Sequence, residues 1–128
     1  MKLKHLFTVH SVVALFHGGG FTLAPKLFMS LYGISLADSE AIFVARLFGA
    51  ALLIYCFVAW FARDAEDSVA RRAIVLGFFL TGIVGAIVSL LGQLSGVMNA
   101  LGWLVVGLYL VLVGGGYGYF YFIKPDTT

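Results

Sequence analysis

Four long apolar runs, broken only by short polar connectors, leave this chain few ways to fold. A bilayer core about 30 Å thick is crossed by about 20 apolar residues in a helix. The runs at about residues 5–24, 41–62, 73–92 and 100–123 each reach that length. In hydrocarbon the backbone N–H and C=O groups must be satisfied within the segment, so such runs become helices rather than loops. The expectation is an all-α integral membrane four-helix bundle with antiparallel neighbours, a single membrane domain over residues 1–128. A hydrophobic content of 62%, a charged content of 11% and a mean hydropathy of +1.05 fit that reading, because soluble domains carry about twice the charge.

The punctuation between the runs sets their ends. The first run contains no Asp, Glu, Lys or Arg and stops at Pro25, which lacks a backbone donor and restricts its predecessor. With Lys2 and Lys4 ahead of it, this run has the look of a signal peptide; Pro25, directly after the only small-residue cleavage position, favours its retention as a span. Leu27, Phe28 and Leu31 then recur at helical spacing among Lys26 and Ser30, which predicts a short amphipathic segment on the membrane surface, closed by Gly33. Asp38 or Ser39 offers an oxygen to cap the second span. Trp60 marks that span's far interface. Arg63 to Arg72, with three acids and three bases, reads as a polar hairpin loop, and Gln93 to Asn99 as an uncharged turn.

Charge distribution bears on orientation and on partners. Basic residues near span ends are retained on the cytoplasmic side. With an even number of spans, Lys2, Lys4, Arg63, Arg71, Arg72 and Lys124 share one face, and Lys26 and Arg46 fall toward the other. Both termini are therefore expected inside, on the cytoplasmic face. A net charge of +2 without basic runs gives no footprint for nucleic acid. The single Cys56 lies in an apolar run, where a thiol behaves as a small hydrophobe, and there is no C-x-x-C pair for thiol exchange.

Lipid tails give helices no hydrophobic reason to associate, so close backbone approach at small residues has to hold the bundle together. On the third run Gly82 with Ala86, Gly85 with Ser89, and Gly92 with Gly96 are small pairs four apart; on the fourth, Gly114 and Gly118 form another. These stripes should face other helices, within the chain or across a homo-oligomer or larger membrane complex. Tyr117, Tyr119, Phe120, Tyr121 and Phe122 follow, readable as an interfacial belt or as a stacking wall for a quinone or pigment ring.

Few residues could carry chemistry. Arg46 sits one and a half turns into the second span, where a charge costs at least about 2.5 kcal/mol and normally faces protein or water. Candidate partners are Asp38, Glu40, His17, Gln93 and Asn99; alternatively Arg46 snorkels to headgroups. His10 and His17 lie seven apart, about 10 Å along one helix face. Two ligands on one helix cannot sandwich a haem iron, and the later spans hold no His, so a bis-His haem within one chain is excluded, although a symmetric dimer could supply the second ligand, and no metal site is expected. Of the two, His17 is the better functional candidate, because Gly18, Gly19 and Gly20 follow it and could let the backbone bend or a ligand approach. Catalytic constellations, phosphate loops and intramembrane acids for a proton relay are missing.

Leu31-Tyr32-Gly33-Ile34, Ala45-Arg46-Leu47-Phe48-Gly49-Ala50 and Leu94-Ser95-Gly96-Val97-Met98-Asn99-Ala100-Leu101-Gly102-Trp103 resemble small four-span bacterial proteins, broadly the DoxX-like group of membrane families. The resemblance implies a four-helix fold in a bacterial inner membrane; some members of that group are linked to quinone-dependent sulfur oxidation. Three functional expectations follow. The first is a non-catalytic accessory or interaction protein acting through its helix faces, with no cofactor. The second is a binding protein for a small amphiphile such as a quinone or lipid, using Arg46 and His17 with Gln93 and Asn99 nearby. The third is a small oligomeric channel or carrier.

Overall fold

In the computed structural model, which describes residues 1–124, the chain forms five helices and no strands among the described residues. They are α1 (Leu3–Leu23), α2 (Pro25–Leu31), α3 (Ser39–Ala62), α4 (Val69–Leu94) and α5 (Gly102–Ile123). All but α2 are long and apolar enough to cross a bilayer. The molecule is a multi-pass membrane protein.

Side-chain caps define two of the helix starts. The Ala41 N–H donates to Asp38 Oδ1 at 2.7 Å, and the Arg71 N–H donates to Ser68 Oγ at 3.1 Å. Each satisfies a donor that the first turn leaves orphaned. The Ser68 cap makes α4 longer than its apolar run: Arg71 and Arg72, assigned to a loop by hydropathy, lie in its first turns. At the other end α4 continues to Leu94, so the turn before α5 is shorter than the polar residues imply. The fourth span is not a uniform α-helix. Leu108–Gly115 and Tyr119–Ile123 follow the wider π-helical path, as in the 3.0 Å bond from Lys124 N–H to Tyr119 O. Segments of this kind are rare and usually occur as single turns.

The bundle is two antiparallel helix pairs laid side by side. α1 runs closely along α3 and α4 along α5, and the pairs approach each other less closely. Glycines set the near contacts. A Cβ on Gly82 would lie 2.3 Å from Gly114 N and 2.5 Å from Gly114 Cα, so α4 and α5 touch backbone to backbone there. Gly85 is covered by the Tyr109 ring and Gly118 by the Phe79 ring. A Cβ on Gly92 or Gly96, by contrast, would meet nothing within 4 Å; Gly96 turns the chain with φ +76. A second crossing carries no weight in the small-residue stripes. A Cβ on Gly49 of α3 would lie 2.7 Å from Thr22 N and 2.8 Å from Gly18 O of α1. The run Gly18–Gly20 therefore does not bend α1, which continues to Leu23. Gly18 admits α3, and Gly20 seats the Phe28 ring.

Two apolar clusters fill the ends of the bundle. At the end shared by the N-terminus, the α3–α4 turn and the close of α5, Leu6, Phe7, Ala59, Val75, Phe78, Tyr117 and Phe120 pack together. Tyr117 and Phe120 point inward, whereas Tyr119 and Phe122 stay exposed, so only part of the aromatic run is available as an interfacial belt. At the opposite end Phe21, Phe28 and Tyr32 form a smaller cap. The segment expected to lie on the surface is thus tucked in: α2 leaves Lys26 and Leu27 outside and buries Phe28, with Tyr32 following.

Candidate functional site

Between the two clusters the helix pairs separate and enclose a partly open cavity of about 390 Å³. α1 contributes His10, Ala14, His17 and Phe21; α3 contributes Phe48 and Leu52; α4 contributes Gly85, Val88, Ser89 and Gly92; α5 contributes Val105, Leu108, Tyr109, Leu112 and Val113; Tyr32 and Met98 close the loop end. From His10 to Phe21 the lining extends about 16 Å along α1. No Asp, Glu, Lys or Arg is among the lining residues. Three of the four α4 residues lining it, Gly85, Ser89 and Gly92, are small and recur at about one-turn spacing, which widens the cavity beside Val88.

The two histidines mark opposite parts of this lining, and each is paired with a tyrosine. His17 Nδ1 lies 2.9 Å from Val13 O, which can only accept, so Nδ1 carries the proton. In the neutral ring Nε2 is then the acceptor, and the Tyr32 hydroxyl donates to it at 3.0 Å. Both nitrogens of His17 are committed to the protein. Tyr32, which lies beyond the membrane-spanning segments, has its ionisation pushed up by burial. Phe16 and Phe28 stand edge-on to the imidazole at 5.4 and 5.5 Å, which fixes the ring further.

His10 lies two turns from His17, toward the N-terminal end of α1. Its Nδ1 is 2.8 Å from the hydroxyl of Tyr117, and both side chains are buried. Phe78 stands edge-on to it at 4.9 Å and Tyr55 stacks at 6.1 Å. Neither tyrosine partner was legible as such in the sequence: Tyr32 sits in a loop and Tyr117 inside an aromatic run. The available signal was the seven-residue spacing of the histidines, which places both on the face of α1 turned to the bundle interior.

The other candidates lie elsewhere. Arg46 is exposed on α3, outside the cavity lining, and makes no ion pair or hydrogen bond among the described residues. The pairing of Arg46 with His17 is therefore not found, nor is a pairing with Asp38, Glu40, Gln93 or Asn99. Residue 46 falls on the side of α3 away from α1, which Ala45 and Gly49 approach instead. Gln93 and Asn99 join loops. Gln93 Nε2 donates to Asn99 O at 3.1 Å, Asn99 Nδ2 donates to Leu31 O at 2.9 Å, and Asn99 N–H donates to Tyr32 O at 2.8 Å. They hold the α4–α5 turn against the turn after α2 and so close the cavity's end without lining it. Among the described residues, no three His, Cys, Asp or Glu side chains come together as a metal-binding group.

Compared with known proteins, the chain matches no protein-family model, no curated protein and no solved structure.

Proposed function

We propose that this protein binds a small hydrophobic or amphiphilic molecule, of the class that includes quinones and lipids, within its transmembrane bundle. The cavity carries this reading. Its volume of about 390 Å³ falls in the range of ligand sites, and its walls are mostly Val, Leu, Phe and Met side chains. Water in such a space would need about two to four polar partners per molecule, more than these walls supply. The small-residue faces that motivate an interaction role are largely occupied within the chain, at Gly82, Gly85, Gly114 and Gly118, and so lend that role no support.

The reading is tested by filling the space. Gly92 lines the cavity, and a Cβ there meets nothing within 4 Å. Gly92→Leu should fold normally and lose a hydrophobic molecule that the unmodified protein retains through mild-detergent purification, as read by native mass spectrometry. Equal retention by both proteins would refute the assignment.

The basic residues at the end that bears the N-terminus support a bacterial inner-membrane location with that end in the cytoplasm. Impermeant thiol labelling of Ser68→Cys and Ser35→Cys in intact cells checks it. Only the second should label.

A further inference from the structure

The cavity has a polar floor within the membrane-spanning part of the bundle. The floor consists of His10, two turns in from the N-terminal end of α1, with the Tyr117 hydroxyl bonded to its ring, and Tyr109 of the antiparallel α5 lines the same cavity two turns in from the loop end. Tyr117 has no exposed surface, and His10 Nδ1 is the partner of its hydroxyl. Were Nδ1 to carry the proton, the buried phenol hydrogen would be left unsatisfied, at a cost of about 1–3 kcal/mol. The favoured arrangement has the Tyr117 O–H donating to Nδ1, which puts the proton of the neutral ring on Nε2. Nε2 has no hydrogen-bond partner among the described residues, and it is not sealed from access, although His10 as a whole is 6% exposed. Since His10 lines the cavity, that access is from the cavity. The Tyr109 hydroxyl is likewise without a hydrogen bond among the described residues and open to the same space. Its ring is held in place against Gly85, whose missing Cβ leaves room for it.

Two donors therefore line a space whose other walls are mostly apolar. No charged side chain lines it, so an ionic group brought there would be stripped of water with no counter-charge, a penalty of several kcal/mol. Ser89, the nearest further hydroxyl on α4, donates to Gly85 O at 2.7 Å and is committed to its own helix. At the loop end the imidazole of His17 is equally committed, to Val13 and Tyr32.

We infer that the cavity selects an uncharged ligand that carries a carbonyl oxygen at its buried end, accepted by His10 Nε2–H and the Tyr109 O–H, with its apolar remainder toward the loop end. Such a ligand enters polar end first, the reverse of a phospholipid, whose head stays at the interface. This inference rests on the reading of the cavity as a ligand site and adds the identity of the recognised group.

The probes are benzophenone and diphenylmethane, which share shape and differ in the carbonyl. Both are titrated into the protein in nanodiscs, with empty nanodiscs correcting for partition, and the ketone band of bound benzophenone is read by infrared spectroscopy. The ketone should bind about tenfold more tightly than the hydrocarbon, the factor one net hydrogen bond supplies, and its carbonyl band should move to lower frequency. In Tyr109→Phe, which removes only the hydroxyl, the preference should shrink severalfold while diphenylmethane binding stays unchanged. His10→Phe should abolish the band shift; if that variant does not fold, Tyr109→Phe alone decides. Equal binding of the two probes with an unshifted band overturns the polar floor and leaves the cavity reading standing. Failure of both probes to bind, or their equal binding to Gly92→Leu, overturns the cavity reading and this inference with it.

Discussion

Replacing Gly82 with alanine adds a single methyl group where α4 and α5 are closest. That methyl carbon would lie 2.3 Å from Gly114 N, 2.5 Å from Gly114 Cα and 2.8 Å from Val113 C. Non-bonded carbon contacts settle at about 3.5–4.0 Å, so the helices must part by about 1 Å or more. All three atoms belong to backbone, and no side chain can rotate away to absorb the strain. A gap of about 0.5–1 Å forfeits a quarter to a half of each dispersion contact along the seam, which here includes Tyr109 against Gly85 and Phe79 against Gly118. The expected loss is about 3 kcal/mol, the upper part of the range for overpacked cores. Gly77, on the same helix, is the matched control: a Cβ there meets nothing within 4 Å. Alanine at that position should be neutral or stabilising by up to about 1 kcal/mol, through helix propensity alone. Reversible unfolding in mixed mild-detergent and dodecyl sulfate micelles, followed by far-ultraviolet circular dichroism, measures the difference. Identical midpoints for Gly82→Ala and Gly77→Ala would refute the claim that the α4–α5 seam is set by backbone contact.

Asn99→Ala removes the Leu31 and Leu101 hydrogen bonds and should destabilise the protein by about 1–2 kcal/mol, with faster amide exchange confined to the two turns it joins. Arg46→Gln should leave probe binding within about 0.5 kcal/mol of the unmodified protein, because the side chain is exposed and outside the cavity; a large loss would return Arg46 to the site. Burial holds the Tyr32 phenol neutral above its usual range. The folded state therefore keeps a proton that the unfolded chain releases, and the resulting stability is present below pH about 10 and lost as pH rises through the raised folded value. Tyr32→Phe should flatten the alkaline limb of a stability-against-pH curve.

Span number and length were legible in the sequence because hydrocarbon thickness dictates both. The ends of α4 were not, since hydropathy reports where the membrane stops and the Ser68 cap reports where the helix starts. The π-helical path of α5 has no counterpart in composition; ordinary apolar residues and glycines form it. At the site, His17 was recognised but assigned the wrong company. Its partners are a carbonyl on its own helix and a tyrosine fifteen residues on, a proximity created by the fold-back of α2. His10, with no glycine beside it, is the histidine whose second nitrogen has no hydrogen-bond partner among the described residues. Arg46 drew attention as the lone charge in a span, yet rarity identifies a residue without saying which side of the helix it faces.

The unequal filling of the two halves has a mechanical consequence. At the N-terminal end the core is filled by packed apolar and aromatic side chains, and close-packed interiors transmit strain. Toward the loops the walls bound free volume and can be pushed inward. A lateral load on the bundle therefore bears on packed rings at the N-terminal end and on open volume toward the loops.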